Sequence, residues 1–234
     1  MNAVKSFFKE ISETWKSCWS VKYFKIHFLF SFILFAAVIH FSCLFLSIWE
    51  TRIGISIIDP LLSRLTPRDF SVQIFSIVHS SMLITLVLFL ATPKKFLKGL
   101  QAYAILLFFR TLFIYILPLE APHGMIFLQD PITAFFLNSV NVVTKDLFFS
   151  GHISAMCLFL YFTDNKVWKT YLMIATPMLA LLILWQHVHY TIDVVAAPFF
   201  AFICCKFIDV VNERWEFGLD NIQSEQLELS RNEL

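Results

Sequence analysis

The sequence predicts an all-α, polytopic membrane protein. Three observations carry that prediction: composition, six apolar runs of spanning length, and the placement of positive charge. Of the 234 residues, 58% are hydrophobic and only 15% charged, with 28 phenylalanines, and mean hydropathy is +0.72. A soluble domain carries about a quarter charged residues, so lipid is the expected main solvent. A spanning helix needs roughly 20 mostly apolar residues, and such windows fall at about 26–49, 71–92, 97–117, 147–163, 169–187 and 190–208. With the N-terminus inside, the inner segments hold Lys5, Lys9, Lys16, Lys22, Lys25, Lys94, Lys95, Lys98, Lys166, Lys169, Lys206, Arg214 and Arg231. The outer segments hold Arg52, Arg64, Arg68 and Lys145. This asymmetry places both termini in the cytoplasm.

In chain order, residues 1–22 set Val4, Phe7, Phe8, Ile11, Trp15 and Trp19 near one helical face, with Lys5, Lys9, Glu10, Glu13 and Lys16 largely elsewhere. This is the pattern of an amphipathic helix lying in the membrane interface. The first apolar run starts near residue 24 and is too long for a signal-peptide core, so it is expected to remain as a span. Residues 23–212 read as one six-helix transmembrane domain. Its weak points are the short fourth span, polar at its start, and the joint between the last two, where Gln186, His187, His189 and Asp193 interrupt the run. Residues 213–234 form a polar, acidic tail that is expected to be solvated or disordered. Cys18, Cys43, Cys157, Cys204 and Cys205 sit in or beside apolar segments without metal or redox spacing, and read as buried small hydrophobes. A net charge of +1 gives no reason to expect nucleic acid as a partner.

Polar residues within spans are costly in lipid and therefore informative. Three clusters are sent to the outer side. Asp146–His152 (DLFFSGH) opens the fourth span, where helix N–H groups and Gly151, with Ser150, allow close approach of an anion such as phosphate. His187–Asp193 follows, and His189 and Asp193, four residues apart, share a face if helical. A carboxylate on one ring nitrogen leaves the other nucleophilic. The third is Arg110, toward the outer end of the third span, whose planar fork suits phosphoryl oxygens. His79 reads more readily as a packed or helix-bridging histidine than a catalytic one. His187 points away from His189 on a helix and reads as a supporting or interface residue. A polar structural network is the bland alternative for His152, His189 and Asp193 together. Their convergence at one membrane depth is too expensive to be idle. H-x-H followed by D lacks the usual helical spacing for zinc, so neither a metal nor a cofactor is expected.

The pairing of S-G-H with H-x-x-x-D some 37 residues later resembles the type 2 phosphatidic acid phosphatase (PAP2) superfamily. More narrowly, Asp146–His152, His187–Val194 (HVHYTIDV) and Arg110–Pro118 (RTLFIYILP) are similar to motifs of sphingomyelin synthases and related headgroup transferases. The resemblance covers roughly residues 100–205, and the first 70 only in topology. It implies that His189 attacks the phosphorus of a donor phospholipid to form a phosphohistidine, with Asp193 orienting it. His152 would protonate the departing diacylglycerol oxygen and then serve as base for the incoming lipid alcohol. Arg110 and N–H groups near Ser150 and Gly151 would stabilise the phosphoryl oxygens. Asp146 would position His152 or read a cationic headgroup, and Tyr190 would belong to the substrate site.

Departures from the phosphatases sharpen this. They carry K-x6-R-P and an arginine six residues before the nucleophilic histidine, whereas Ile183 stands at the latter position here and no arginine precedes a proline. A phosphate monoester dianion would lack much of its cationic cradle, so transfer from a diester is favoured over monoester hydrolysis. The expected reaction moves phosphocholine or phosphoethanolamine from a glycerophospholipid to ceramide or diacylglycerol. The alternatives are a lipid phosphatase acting on phosphatidate or a polyprenyl diphosphate, and a non-enzymatic transporter or scaffold. The expected partners are the bilayer, a phospholipid donor and a lipid alcohol acceptor, with the site on a periplasmic, exterior or lumenal face. Short loops lean toward a bacterial inner membrane. Nothing in the sequence reports the oligomeric state.

Overall fold

The computed structural model describes residues 2–128 and 144–232, side chains 2–7, 46–47 and 215–232 excepted. Helix α1 (Asn2–Ser20) precedes α2 (Lys22–Thr51), a 3-10 turn at Leu62–Arg64, α3 (Ser71–Leu90) and α4 (Pro93–Ile116). After the segment ending at residue 150 come α5 (Gly151–Phe162), α6 (Lys166–Trp185) and α7 (Thr191–Asn232). The described residues are all-helical apart from one isolated parallel bridge, Ile55 to Leu119.

Five of these helices are long and apolar enough to cross a membrane: α2, α3, α4, α6 and the Thr191–Arg214 part of α7. The expected fourth span is different. It starts at Gly151 rather than 147 and has 12 residues, which at 1.5 Å per residue reach about 18 Å against a hydrocarbon core of about 30 Å. The bundle thus has five long spans and a short sixth helix embedded among them. The physical reason lies just before Gly151. The carbonyls of Asp146 and Phe149 accept from Arg110 Nη2 and Nε at 3.2 and 2.9 Å, and the Ser150 N–H donates to the Asp193 carbonyl at 3.1 Å. Irregular backbone at such depth persists only where protein satisfies it, and here side chain and backbone both do so. Arg110 lies six residues before the end of α4, or about 9 Å below it, so this unwound stretch is recessed into the bundle.

Helices α4, α5 and α7 pack on one another at the centre, with α2 against α4, and α6 and α3 closing the far side. Their apolar faces merge into one core that includes Ala102, Leu106, Phe149, Ile153, Met156, Leu172, Leu179, Ala197 and Cys205. Outward faces are apolar too: Phe30, Ile33, Leu83, Ile174, Leu181 and Phe199 are exposed, as expected where lipid rather than water surrounds the chain.

The amphipathic face of α1 docks on the ends of α2, α3 and α4. The Trp15 indole N–H donates to the Leu90 carbonyl at 2.7 Å, and its ring packs edge-on against Phe24, Phe28 and Phe96. Val4 and Phe7 of that expected face, and Lys5 off it, lie outside the described side chains. At the C-terminus the helix does not stop at residue 213 but runs on to Asn232, because Glu, Gln, Leu and Arg are good helix formers whatever their solvation. Near this α1 end of the bundle, Lys98 and Tyr161 both bond Asp209, at 3.0 and 2.8 Å. Asn212, Gln101 and Ser31 continue the polar chain at 2.9 Å each.

Candidate active site

At the opposite end, the turn Gln186–Tyr190 joins α6 to α7 and carries the second histidine motif. Tyr190 is the N-cap of α7, so Asp193 stands at its third position. Asp193 Oδ2 accepts the Tyr190 backbone N–H at 3.0 Å, as the acidic member of a capping box does. The same oxygen lies 3.4 Å from His189 Nδ1. One carboxylate therefore caps the helix and orients the imidazole, and the H-x-x-x-D spacing acquires a local reason. With Nδ1 donating, His189 Nε2 keeps its lone pair. Asp193 is 0% exposed, and its second oxygen has no protein partner.

The first motif meets this turn through the Ser150–Asp193 backbone bond. Ser150 is the N-cap of α5 but makes no side-chain cap, and its buried hydroxyl has no partner. His152 follows in the first turn of α5, with the ring of Phe75 edge-on at 6.5 Å between centroids. The other neighbour of Phe75 is His79, stacked on it at 5.4 Å. Glycine at position 151 leaves room for the guanidinium: a Cβ there would sit 3.0 Å from Arg110 Cζ and 3.1 Å from Nε, so the Arg110 side chain would have to give. The guanidinium is held against this bare backbone by Phe149, Asp146 and the Asp146 carboxylate, the last at 2.9 Å.

Of the remaining expected residues, Tyr190 is fully buried and its hydroxyl donates to the Glu120 carbonyl at 3.0 Å. His187 adopts a left-handed backbone (φ 58°), so it turns away from His189. Its Nδ1–H donates to the His123 carbonyl at 2.8 Å.

Three residues outside the expected site hold this end together, Asp59, Glu120 and Gln186, and of these only Gln186 stood out in the sequence. Asp59 accepts both the Thr191 backbone N–H, at 2.7 Å, and its hydroxyl, at 3.0 Å, and so ties the 52–70 loop to the start of α7. Burial would push the Asp59 pKa up, but hydrogen bonds from Thr191, Leu62 and Leu61 outweigh it and hold the carboxyl below its usual range. Glu120 accepts the Gly54 N–H at 2.7 Å and Lys145 Nζ at 3.0 Å. Those two bonds, the Gly54 one foremost, lower its pKa as well. Gln186, wholly buried, accepts from Phe70 N–H and donates to Ser71 Oγ and the Ile126 carbonyl. Asp59 lies in an otherwise unremarkable loop, and only Asp-Pro as a turn signal marks it in sequence. Among the described residues no cluster of three His, Cys, Asp or Glu side chains is placed to hold a metal ion.

A membrane-type helical bundle with two histidine motifs joined at one end is the class that fold and site define. Residues 145–210 match the family model described as PAP2 superfamily C-terminal, a segment running from Lys145 into α7 that includes both motifs. A search of curated proteins finds no match.

Proposed function

We propose that this chain is an integral membrane headgroup phosphotransferase that works through a phosphohistidine. The observation that carries the reading is the buried His189–Asp193 pair, joined by backbone to the first turn of α5 that bears His152. His189 Nε2 attacks the donor phosphorus, and the P–O bond to diacylglycerol breaks as His152 gives its proton to the leaving oxygen. His152 then takes a proton from an acceptor hydroxyl, whose oxygen attacks phosphorus and breaks the P–N bond. The unwound 146–150 stretch and Arg110 would meet the phosphoryl oxygens, with Arg110 exchanging Asp146 for them. Residues 23–212 would form the catalytic domain, with termini cytoplasmic and the site on the other face.

Transfer is favoured over monoester hydrolysis by the state of the cations. Arg110 is paired with Asp146 and Lys145 with Glu120, while Arg52 donates to the Tyr115 carbonyl and lies 5.1 Å from that ring's centroid. With Lys145 held by Glu120, a phosphate dianion would lack part of the positive charge it needs, whereas a diester carries a single charge. The test is purified protein given labelled phosphatidylcholine or phosphatidylethanolamine, with ceramide and diacylglycerol in turn. Labelled headgroup should appear on the acceptor. Release of inorganic phosphate from a monoester, without lipid-to-lipid transfer, would make the chain a phosphatase instead.

A further inference from the structure

The 52–70 loop, residues 122–124 and the His187–Tyr190 turn enclose a cavity of about 670 Å³ at the histidine end of the bundle, within the size range of small-ligand sites. Its polar wall includes Ser56, Asp59, Ser63, His123 and His187, and among the described residues no lysine or arginine lines it. The four donors to Asp59 are the neutral N–H groups of Leu61, Leu62 and Thr191 and the Thr191 hydroxyl, so its negative charge is not cancelled. His187 holds its proton on Nδ1, toward His123, which leaves Nε2 a lone pair. That nitrogen is buried and has no protein partner. The wall thus presents a carboxylate and, among the described residues, no cation, a polarity opposite to that of a phosphate site; His187 Nε2 is buried behind it. Nor does the wall suit a quaternary ammonium, which offers no N–H and is held by aromatic cages: among the described residues Tyr190 is the one Phe, Tyr or Trp lining this cavity.

We propose that the cavity is a headgroup subsite for a hydrogen-bond-donating, non-anionic group, the ammonium or hydroxyl end of a phospholipid headgroup. Two of its lining residues, His187 and Tyr190, belong to the turn that carries His189, and we assign to a headgroup seated there the phosphoryl group that His189 would take. That last step rests on the proposed function, whereas the polarity of the wall does not.

The test uses detergent-purified full-length protein and its thermal unfolding midpoint, titrated with the methyl phosphodiesters of ethanolamine, glycerol and choline and with inorganic phosphate. Stabilisation by either of the first two, at about tenfold tighter apparent affinity than by choline or phosphate, supports the site. Which of the two binds tells ammonium from hydroxyl. His187→Asn keeps a residue tolerant of the left-handed backbone but removes the ring. Ser63→Trp fills the cavity from an exposed position. Both should weaken that binding about tenfold. Equal or better stabilisation by choline or phosphate, no stabilisation by any of the four, or unchanged binding in Ser63→Trp would overturn the proposal. Selective binding without lipid-to-lipid transfer would count against the proposed function and leave the subsite standing.

Discussion

Asp193 serves two roles that substitution can separate. Asp193→Asn still offers an oxygen to the Tyr190 N–H but loses the charge facing His189, so kcat should fall with the unfolding midpoint little changed. Asp193→Ala loses both, and should cost in addition about 1 kcal/mol of stability as a lost cap. Steady-state transfer kinetics beside thermal unfolding distinguish the two. His152→Ala and His189→Ala should each lower activity by roughly 10²-fold or more while the protein elutes as wild type, and His79→Ala should not. A His189→Ala protein with full activity would leave the bundle as a scaffold. Gly151→Ala presses a methyl group onto a guanidinium already held by three bonds. It should cut activity without loss of fold, read by the same assay.

At the scale of elements, the short α5 and the unwound stretch before it depend on partners distant in sequence. Arg110, 36 and 39 residues before the carbonyls it satisfies, replaces hydrogen bonds that a longer helix would have made for itself. The 52–70 loop is likewise anchored by Asp59 on α7. Both Asp59 and Glu120 have lowered pKa values in the fold. Their stabilising contribution is therefore fully present above the unfolded-state values and is lost as pH falls through the folded ones. Unfolding midpoints should hold near neutrality and drop below about pH 4. Asp59→Asn should flatten that acid limb, as followed by circular dichroism across pH.

For the whole molecule, the two ends of the bundle have separate tasks. The Lys98–Asp209–Tyr161 cluster lies near the α1 end, away from the histidines. Asp209→Ala should lower stability by roughly 1 to 2 kcal/mol while the folded fraction keeps its kcat. Heat inactivation set against initial rate checks this. A large loss of kcat at full folding would instead couple the two ends.

Much of this architecture was legible from composition and periodicity. Apolar run length, set by bilayer thickness, located α2, α3, α4, α6 and the start of α7 to within a few residues. Local spacing also marked His189 with Asp193, because one helical turn and its cap are short-range objects. Where the fourth helix begins could not be read that way. The run 147–163 opens on Leu147, Phe148 and Phe149, which fit a helix as well as a loop, and only Arg110 and the Asp193 carbonyl, brought in by tertiary packing, hold Phe149 and Ser150 out of the helix. The partners that make anchors of Asp59, Glu120 and Gln186 were hidden for the same reason: they lie 25 to 132 residues away. The sequence by itself determined a lipid-solvated helical chain and the residue types of its chemistry. Tertiary structure alone decided that one short helix and one turn meet in a buried recess, since desolvating those polar groups is tolerable only where each finds the other.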